Sequence, residues 1–104
     1  MAHYNPTNLT TPAEMYAICP TNTRAIDPYY WQFLEVGHYV RIRSNNEYFW
    51  VDVKVINGDE ITGEVYYELG INPYEIGDTL TFNICKVFDI YDPQVLNLIP
   101  GIDV

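Results

Sequence analysis

Glu47-Tyr48-Phe49-Trp50-Val51-Asp52-Val53-Lys54-Val55-Ile56 places a bulky apolar residue at every second position. A period of two is the repeat of a pleated strand, whose successive side chains leave on opposite faces. Phe49, Val51, Val53 and Val55 therefore share one face, while Tyr48, Trp50 and Asp52 share the other. The same period recurs on both sides, so strands are predicted near 38–43, 47–56, 60–67 and 79–88. Val40 and Ile42, Ile61 and Val65, and Leu80, Phe82 and Ile84 complete the predicted interior.

The joints between these strands carry turn chemistry. Ser44 with Asn45-Asn46 reads as a polar hairpin turn. Asn57-Gly58 invites a two-residue loop, but that loop would pair Val55 with Glu60 and Val53 with Thr62, setting an apolar face beside a polar one. A three-residue loop over 56–58, with Gly58 left-handed in a bulge, pairs Val53 with Ile61 and Val51 with Gly63 and is the predicted register. Gly70 to Asp78 contains Pro73 and several turn formers and is predicted to be a loop. Bent strands joined by short turns in this length close most economically into a small SH3-like barrel, which hides its edges.

The flanks differ in character. Residues 1–26 hold Pro6, Pro12 and Pro20 among Thr and Asn and read as an irregular arm. Asp27 can cap, and Pro28 can open, a short helix through Tyr29, Tyr30, Trp31 and Phe33 that closes at Gly37. A last turn or helix over 94–99 is expected before Pro100-Gly101. The expected fold is thus mainly β: a small SH3-like barrel with an irregular N-terminal arm, one short helix before the barrel and a short C-terminal turn or helix. Residues 1–36 would pack on a barrel formed by 37–104, the whole being one folding unit, as 104 residues support one core.

Four segments carry a resemblance: Gly37-His38-Tyr39-Val40-Arg41-Ile42, Glu47 to Val53, Asn57 to Val65, and Ile76-Gly77-Asp78-Thr79-Leu80-Thr81-Phe82. Their Trp-Val-x-Val strand, Gly-containing hairpin and Gly-Asp entry to the last long strand resemble the YegJ-like family of uncharacterised domains, over roughly residues 36–92. The stretch Tyr66-Tyr67-Glu68-Leu69 departs from that pattern, lacking an Asn-x-Pro turn. The resemblance implies a small barrel, and no substrate, cofactor or catalytic residue.

A formal charge of −9, with only Arg24, Arg41, Arg43, Lys54 and Lys86 as cations, disfavours nucleic acid and anionic lipid as direct partners. No run approaches the roughly 20 apolar residues of a membrane helix, and the N-terminus lacks a charged region followed by an apolar stretch. The expected location is the cytoplasm. Abundant isoleucine, asparagine and tyrosine fit AT-rich coding, as in some intracellular bacteria and large DNA viruses; for a virus the location is the host cytoplasm or the virion. Cys19 and Cys85, far apart in a chain of this size, are expected to be reduced.

Catalytic and metal patterns are sparse. His3 and His38 sit in the arm and at a strand start, no short Cys or His spacing suits a metal, and no cofactor is expected. A small enzyme or accessory domain is the competing expectation, with His38, Asp52 and Cys85 its nominees. The leading expectation is a non-enzymatic module whose partner is a protein or a second copy, acting through the outer barrel face: Tyr39, Tyr48, Trp50, Asp52 and Tyr66, with Arg41 and Arg43 beside them. Three arrangements would account for that face. The arm and its helix cover it, a second copy does, or its aromatics and the carboxylates of Asp52 and Glu64 hold a basic or methylated side chain, as Tudor-like barrels do.

Overall fold

The alternating residues of 47–57 form the longest strand among the described residues, and the other elements are arranged around it. The computed structural model describes residues 2–18 and 28–93. Its elements are β1 (His3–Tyr4), α1 (Pro12–Ile18), a 3-10 helix (Pro28–Phe33), β2 (Tyr39–Ser44), β3 (Glu47–Asn57), β4 (Glu60–Val65), β5 (Thr79–Asn83), a 3-10 turn (Ile84–Lys86) and β6 (Asp89–Tyr91). They build a six-stranded sheet in the order β1-β5-β4-β3-β2-β6. After the 3-10 turn, β6 returns to pair antiparallel with β2, so the meander curls back on its first strand as expected for a small barrel.

The predicted interior is buried with one exception. Val40, Ile42, Val51, Val53, Ile61, Val65 and Leu80 are 0% exposed and Phe49 1%, whereas Val55 is 52% exposed. The reason lies in the β3–β4 register. The hairpin turns on Gly58-Asp59, with Asn57 opposite Glu60 and Ile56 opposite Ile61. Gly58, at a φ of 62°, supplies the left-handed first position that such a turn needs. Continued unbroken, that register would set Val53 against Glu64; instead it shifts between Val53 and Val55, so that Val53 faces Gly63 and Val51 faces Val65. The bulge predicted for the loop is therefore inside the strand at Lys54. It turns Val55 outward and lets Ile56 pack against the core.

Other boundaries also move. The strand predicted over 79–88 ends at Asn83, whose side-chain oxygen accepts from the Cys85 amide at 2.9 Å and caps the 3-10 turn in place of a further ladder bond. The strand predicted over 60–67 stops at Val65. Asn45 and Asn46 both adopt positive φ, 52° and 67°, giving the tight turn between β2 and β3. Ser44 belongs to β2 rather than to that turn and donates to the Asn8 side chain at 3.1 Å.

The arm, expected to be irregular, is partly regular and straps the sheet. β1 runs parallel to β5, and Thr79 donates to the carbonyl of Ala2. Further on, Leu9 is buried and bridges Ser44, and the Thr10 amide donates to Arg43 at 3.0 Å. One segment thus engages β5 and β2, supplying partners to strand edges that otherwise invite association. Asp27, Cys19 and the C-terminal turn expected over 94–99 lie outside the described residues; Cys85 is an exposed free thiol. Among the described residues no helix is long and apolar enough to cross a membrane.

The 66–78 loop is tied down by one carboxylate. Glu47 accepts from the amides of Gly70, Ile71 and Asn72 at 2.7, 3.1 and 2.9 Å, and from the Asn72 side chain at 2.8 Å. Burial raises the Glu47 pKa, but the bonds from Asn72, Gly70 and Ile71 outweigh it and hold the group at about 2. Asn72 is itself buried and donates to the Ser44 carbonyl. At the other end of the loop, Asp78 accepts from the amides of Glu75 and Ala2, which lower its pKa.

Two outcomes follow from this packing. A Cβ added at Gly63 would lie 2.6 Å from Val51 Cγ2, so Gly63→Ala should destabilise the protein by about 1–3 kcal/mol in urea unfolding. Because the folded pKa of Glu47 is lowered from 4.5 to about 2, its stabilising effect is present above the unfolded value and is lost as pH falls through the folded one. The difference in urea midpoint between wild type and Glu47→Gln should hold near neutrality and shrink with acidification; a pH-independent difference would contradict the clasp.

Candidate functional site: the outer face of β2 and β3

Because Val51 and Val53 point inward, their even-numbered neighbours must meet on the opposite side of the sheet. The register ladder places Arg43 beside Tyr48, Arg41 beside Trp50, and Tyr39 beside Asp52, with Glu64 of β4 next to Asp52. All five residues nominated from the sequence, Tyr39, Tyr48, Trp50, Asp52 and Tyr66, share this surface. β6 extends it by pairing Tyr91 with Tyr39 and Asp89 with Arg41.

Ring geometry shows how the face is filled. Centroids of Tyr39 and Tyr66 are 5.1 Å apart, Tyr39 and Tyr91 6.3 Å, Trp50 and Tyr91 6.4 Å, and Tyr66 and Tyr67 4.9 Å. Tyr48 meets the buried Phe88 edge-on at 5.2 Å. These are tilted and edge-to-face contacts between touching rings. The Arg41 guanidinium lies 5.1 Å from the Tyr48 centroid and 5.8 Å from that of Trp50, and Arg43 lies 5.5 Å from Tyr48.

Polar groups fix the edges of this surface. Arg41 pairs with Asp89, whose side chain is almost wholly buried. Asp52 bonds Lys54 at 2.9 Å, and that hydrogen bond, then the Asp52 charge, raises the Lys54 pKa. Where β4 ends, the Trp50 amide finds a partner in the Tyr67 hydroxyl at 2.8 Å, so the strand edge is satisfied by a side chain. Burial, then Tyr67, Tyr39 and Asp52, pushes the Tyr66 phenol up to about 12.

Two of the three arrangements expected for this face do not fit its geometry. The helix over Pro28–Phe33 does not lie across it: Tyr30 and Trp31 pack against the core, and Tyr29, Tyr30 and Phe33 stack on one another at 5.3–6.3 Å, while the arm meets the face at the Arg43 corner, where the Thr10 hydroxyl accepts from the guanidinium at 3.0 Å. Leu34, buried just beyond, pulls this helix to the barrel interior. A cation-holding cage fails for a different reason. Its rings must stand apart to admit a ligand, whereas Tyr39, Tyr66 and Tyr91 already touch and the place beside Tyr48 and Trp50 is taken by the Arg41 guanidinium. What is left is a half-exposed aromatic surface.

The enzyme nominees do not converge. His38 is buried, its Nδ1 accepts from the Glu35 amide at 3.2 Å, and its Nε2 lies 3.3 Å from Asp92 and 3.9 Å from Glu35. Asp52 is engaged with Lys54, and Cys85 lies exposed in the 3-10 turn after β5. His38, Glu35 and Asp92 line a cavity of about 120 Å³, large enough to admit water. A wider hollow of about 430 Å³ is formed within the 66–78 loop by Glu68, Leu69, Tyr74, Glu75 and Ile76. Among the described residues no group of three or more His, Cys, Asp and Glu side chains is arranged to hold a metal ion.

Tyr91, Phe88, Asp89 and Lys54 belong to the outer face and were not foreseen. Asp89-Ile90-Tyr91 does carry the two-residue period that could have identified Tyr91 and Asp89, and the parity of Trp50 and Asp52 extends to Lys54. No family model, curated protein or solved structure matches the chain.

The burial of Tyr66 yields a direct check. Its raised pKa means that its contribution to stability is present below the ordinary phenol value of 10.0 and is lost as pH rises through about 12. Absorbance titration should show a late-ionising phenol in wild type that is missing in Tyr66→Phe; identical curves would refute the packing described for this ring.

Proposed function

We propose that the chain is a non-enzymatic interaction module that acts through the outer face of β2 and β3. The observation that supports this is the aromatic surface itself, with Tyr48 and Tyr66 39% and 43% exposed beside the half-buried Tyr39, Trp50 and Tyr91. Contiguous exposed aromatics bordered by polar residues are the composition of protein interfaces, where tyrosine, tryptophan and arginine are enriched. The charge of −9 favours a protein partner over nucleic acid or anionic lipid. The resemblance of residues 36–92 to the YegJ-like barrel domains is compatible with this role and adds no chemistry to it.

A small enzyme is the competing reading, and the His38 cavity is the observation that favours it. The His38–Asp92 contact can orient one water, yet no hydroxyl or thiol side chain is among the residues described around that cavity. The aromatic face is the stronger support.

Trp50→Ala removes the centre of the surface while leaving the inward residues of β3 untouched. It should abolish self-association or the capture of a protein by the tagged full-length chain, with the cooperative unfolding transition retained. Equal solution mass and an equal set of captured proteins in wild type and variant would overturn the proposal.

A further inference from the structure

The outer face differs electrostatically from the rest of the chain. It sets Arg41, Arg43 and Lys54 against Asp52, Glu64 and Asp89 and is balanced, whereas elsewhere among the described residues Lys86 is the single Lys or Arg facing all the remaining carboxylates. Two copies of a chain with a charge of −9 repel one another, and among the described residues this face, with as many cations as carboxylates, opposes a second copy least. A strongly basic partner would find a better match on the acidic remainder.

The distribution of charge within the face is also ordered. Arg41 is paired with Asp89 and Lys54 with Asp52, which leaves Arg43 and Glu64 without an ion pair among the described residues: the Arg43 guanidinium donates to the neutral Thr10 hydroxyl at 3.0 Å and the Asn46 side chain at 2.7 Å, so its charge is positioned but not neutralised, and Glu64 acts on Lys54 only through its field. Arg43 lies on β2 at the level of Tyr48, and Glu64 lies on β4 at the level of Asp52. They occupy diagonally opposite corners, four residues apart along the strands and two strands apart across them, about 13 Å by 10 Å. The midpoint of that diagonal falls on β3 at Trp50. A two-fold axis lying in the interface plane, through Trp50 and perpendicular to the diagonal, carries each corner onto its opposite.

We infer that the partner of this face is a second copy of the chain, docked face to face about a two-fold axis through Trp50, with Arg43 of each copy paired to Glu64 of the other. This rests on the reading of the outer face as an interaction surface and adds the partner and the pose. The unlike corners meet twice, the tryptophans meet on the axis, and the internally paired charges flank them. Such a surface is complementary to itself, as a closed two-fold contact requires.

Sedimentation equilibrium of the full chain tests this. Wild type should form a dimer at micromolar concentrations, and Arg43→Glu or Glu64→Arg should each raise its dissociation constant by about tenfold or more. The double variant should return to within about threefold of wild type, because the exchanged charges meet again. Thermal unfolding of each variant controls for folding, and Arg43→Gln with Glu64→Gln serves if a reversal lowers the melting midpoint. Wild type that stays monomeric to about 200 μM overturns the second-copy inference. The interaction reading then stands if Trp50→Ala still changes what the tagged chain captures. A dimer indifferent to both reversals and to Trp50→Ala overturns inference and reading together, and single losses without recovery in the double variant overturn the proposed pose.

Discussion

Everything in this barrel depends on β3 serving two environments at once. Val51 and Val53 are 0% exposed, while Trp50 and Asp52, one residue away, build the outer face. Burying a valine or phenylalanine of this strand is worth roughly 1.5–3 kcal/mol, so a slip of one residue would cost several such terms and also drive Asp52 inward. The constraint is strong enough to override the turn. With Gly58-Asp59 at the hairpin, an unbroken ladder would have opposed Val53 with Glu64, and the chain instead inserts Lys54 as a bulge. The extra residue restores the faces and carries the Lys54 ammonium to Asp52.

That account explains which parts of the fold the sequence expresses. Alternation is a property of consecutive residues, so Val40, Ile42, Phe49, Val51, Val53, Ile61, Val65 and Leu80 could be assigned to the interior, and the outer residues followed by parity. The position of a bulge is different. Parity shows that one is needed between β3 and β4 but is satisfied equally by an extra residue in the loop or in the strand, and only the competition between the Gly58 turn and the packing of Ile56 decides it. The arm was opaque for a related reason. Its two ladder residues and its bridge at Leu9 derive their order from distant strands, and so small a contribution has no period of its own. The candidate face was legible as a set of residues. Its closure by Tyr91 and Phe88 depends on β6 returning to β2, which is topology rather than local pattern.

Acidic residues in this chain are not merely a solvated surface. Glu47 gathers three backbone amides and Asn72, and Asp78 gathers the amides of Glu75 and Ala2, so two carboxylates hold the 66–78 loop at both ends where a regular ladder cannot. Charged acceptors make the stronger hydrogen bonds to backbone donors, and both pKa values are depressed as a result. This use of carboxylates leaves the chain with a large net charge, whose cost is felt when molecules approach one another. It also concentrates the significance of the few cations. Three of them lie on the face where rings are exposed, and among the described residues they offset the carboxylates of that surface.

The physical state of that surface bears on how well it can bind. A docking patch of isolated side chains must be ordered on association, at about 0.5–1.5 kcal/mol for each rotamer-rich group. Here Tyr39 is held between Tyr66 and Tyr91, Tyr48 stands on Phe88, and Arg41 is fixed by Asp89 beneath the rings of Tyr48 and Trp50. Most of the ordering has therefore been done by folding. The same contacts that close the face to an inserted cation hold its rings and guanidinium in place before any partner arrives, so the side chains of this face keep little rotamer freedom to lose.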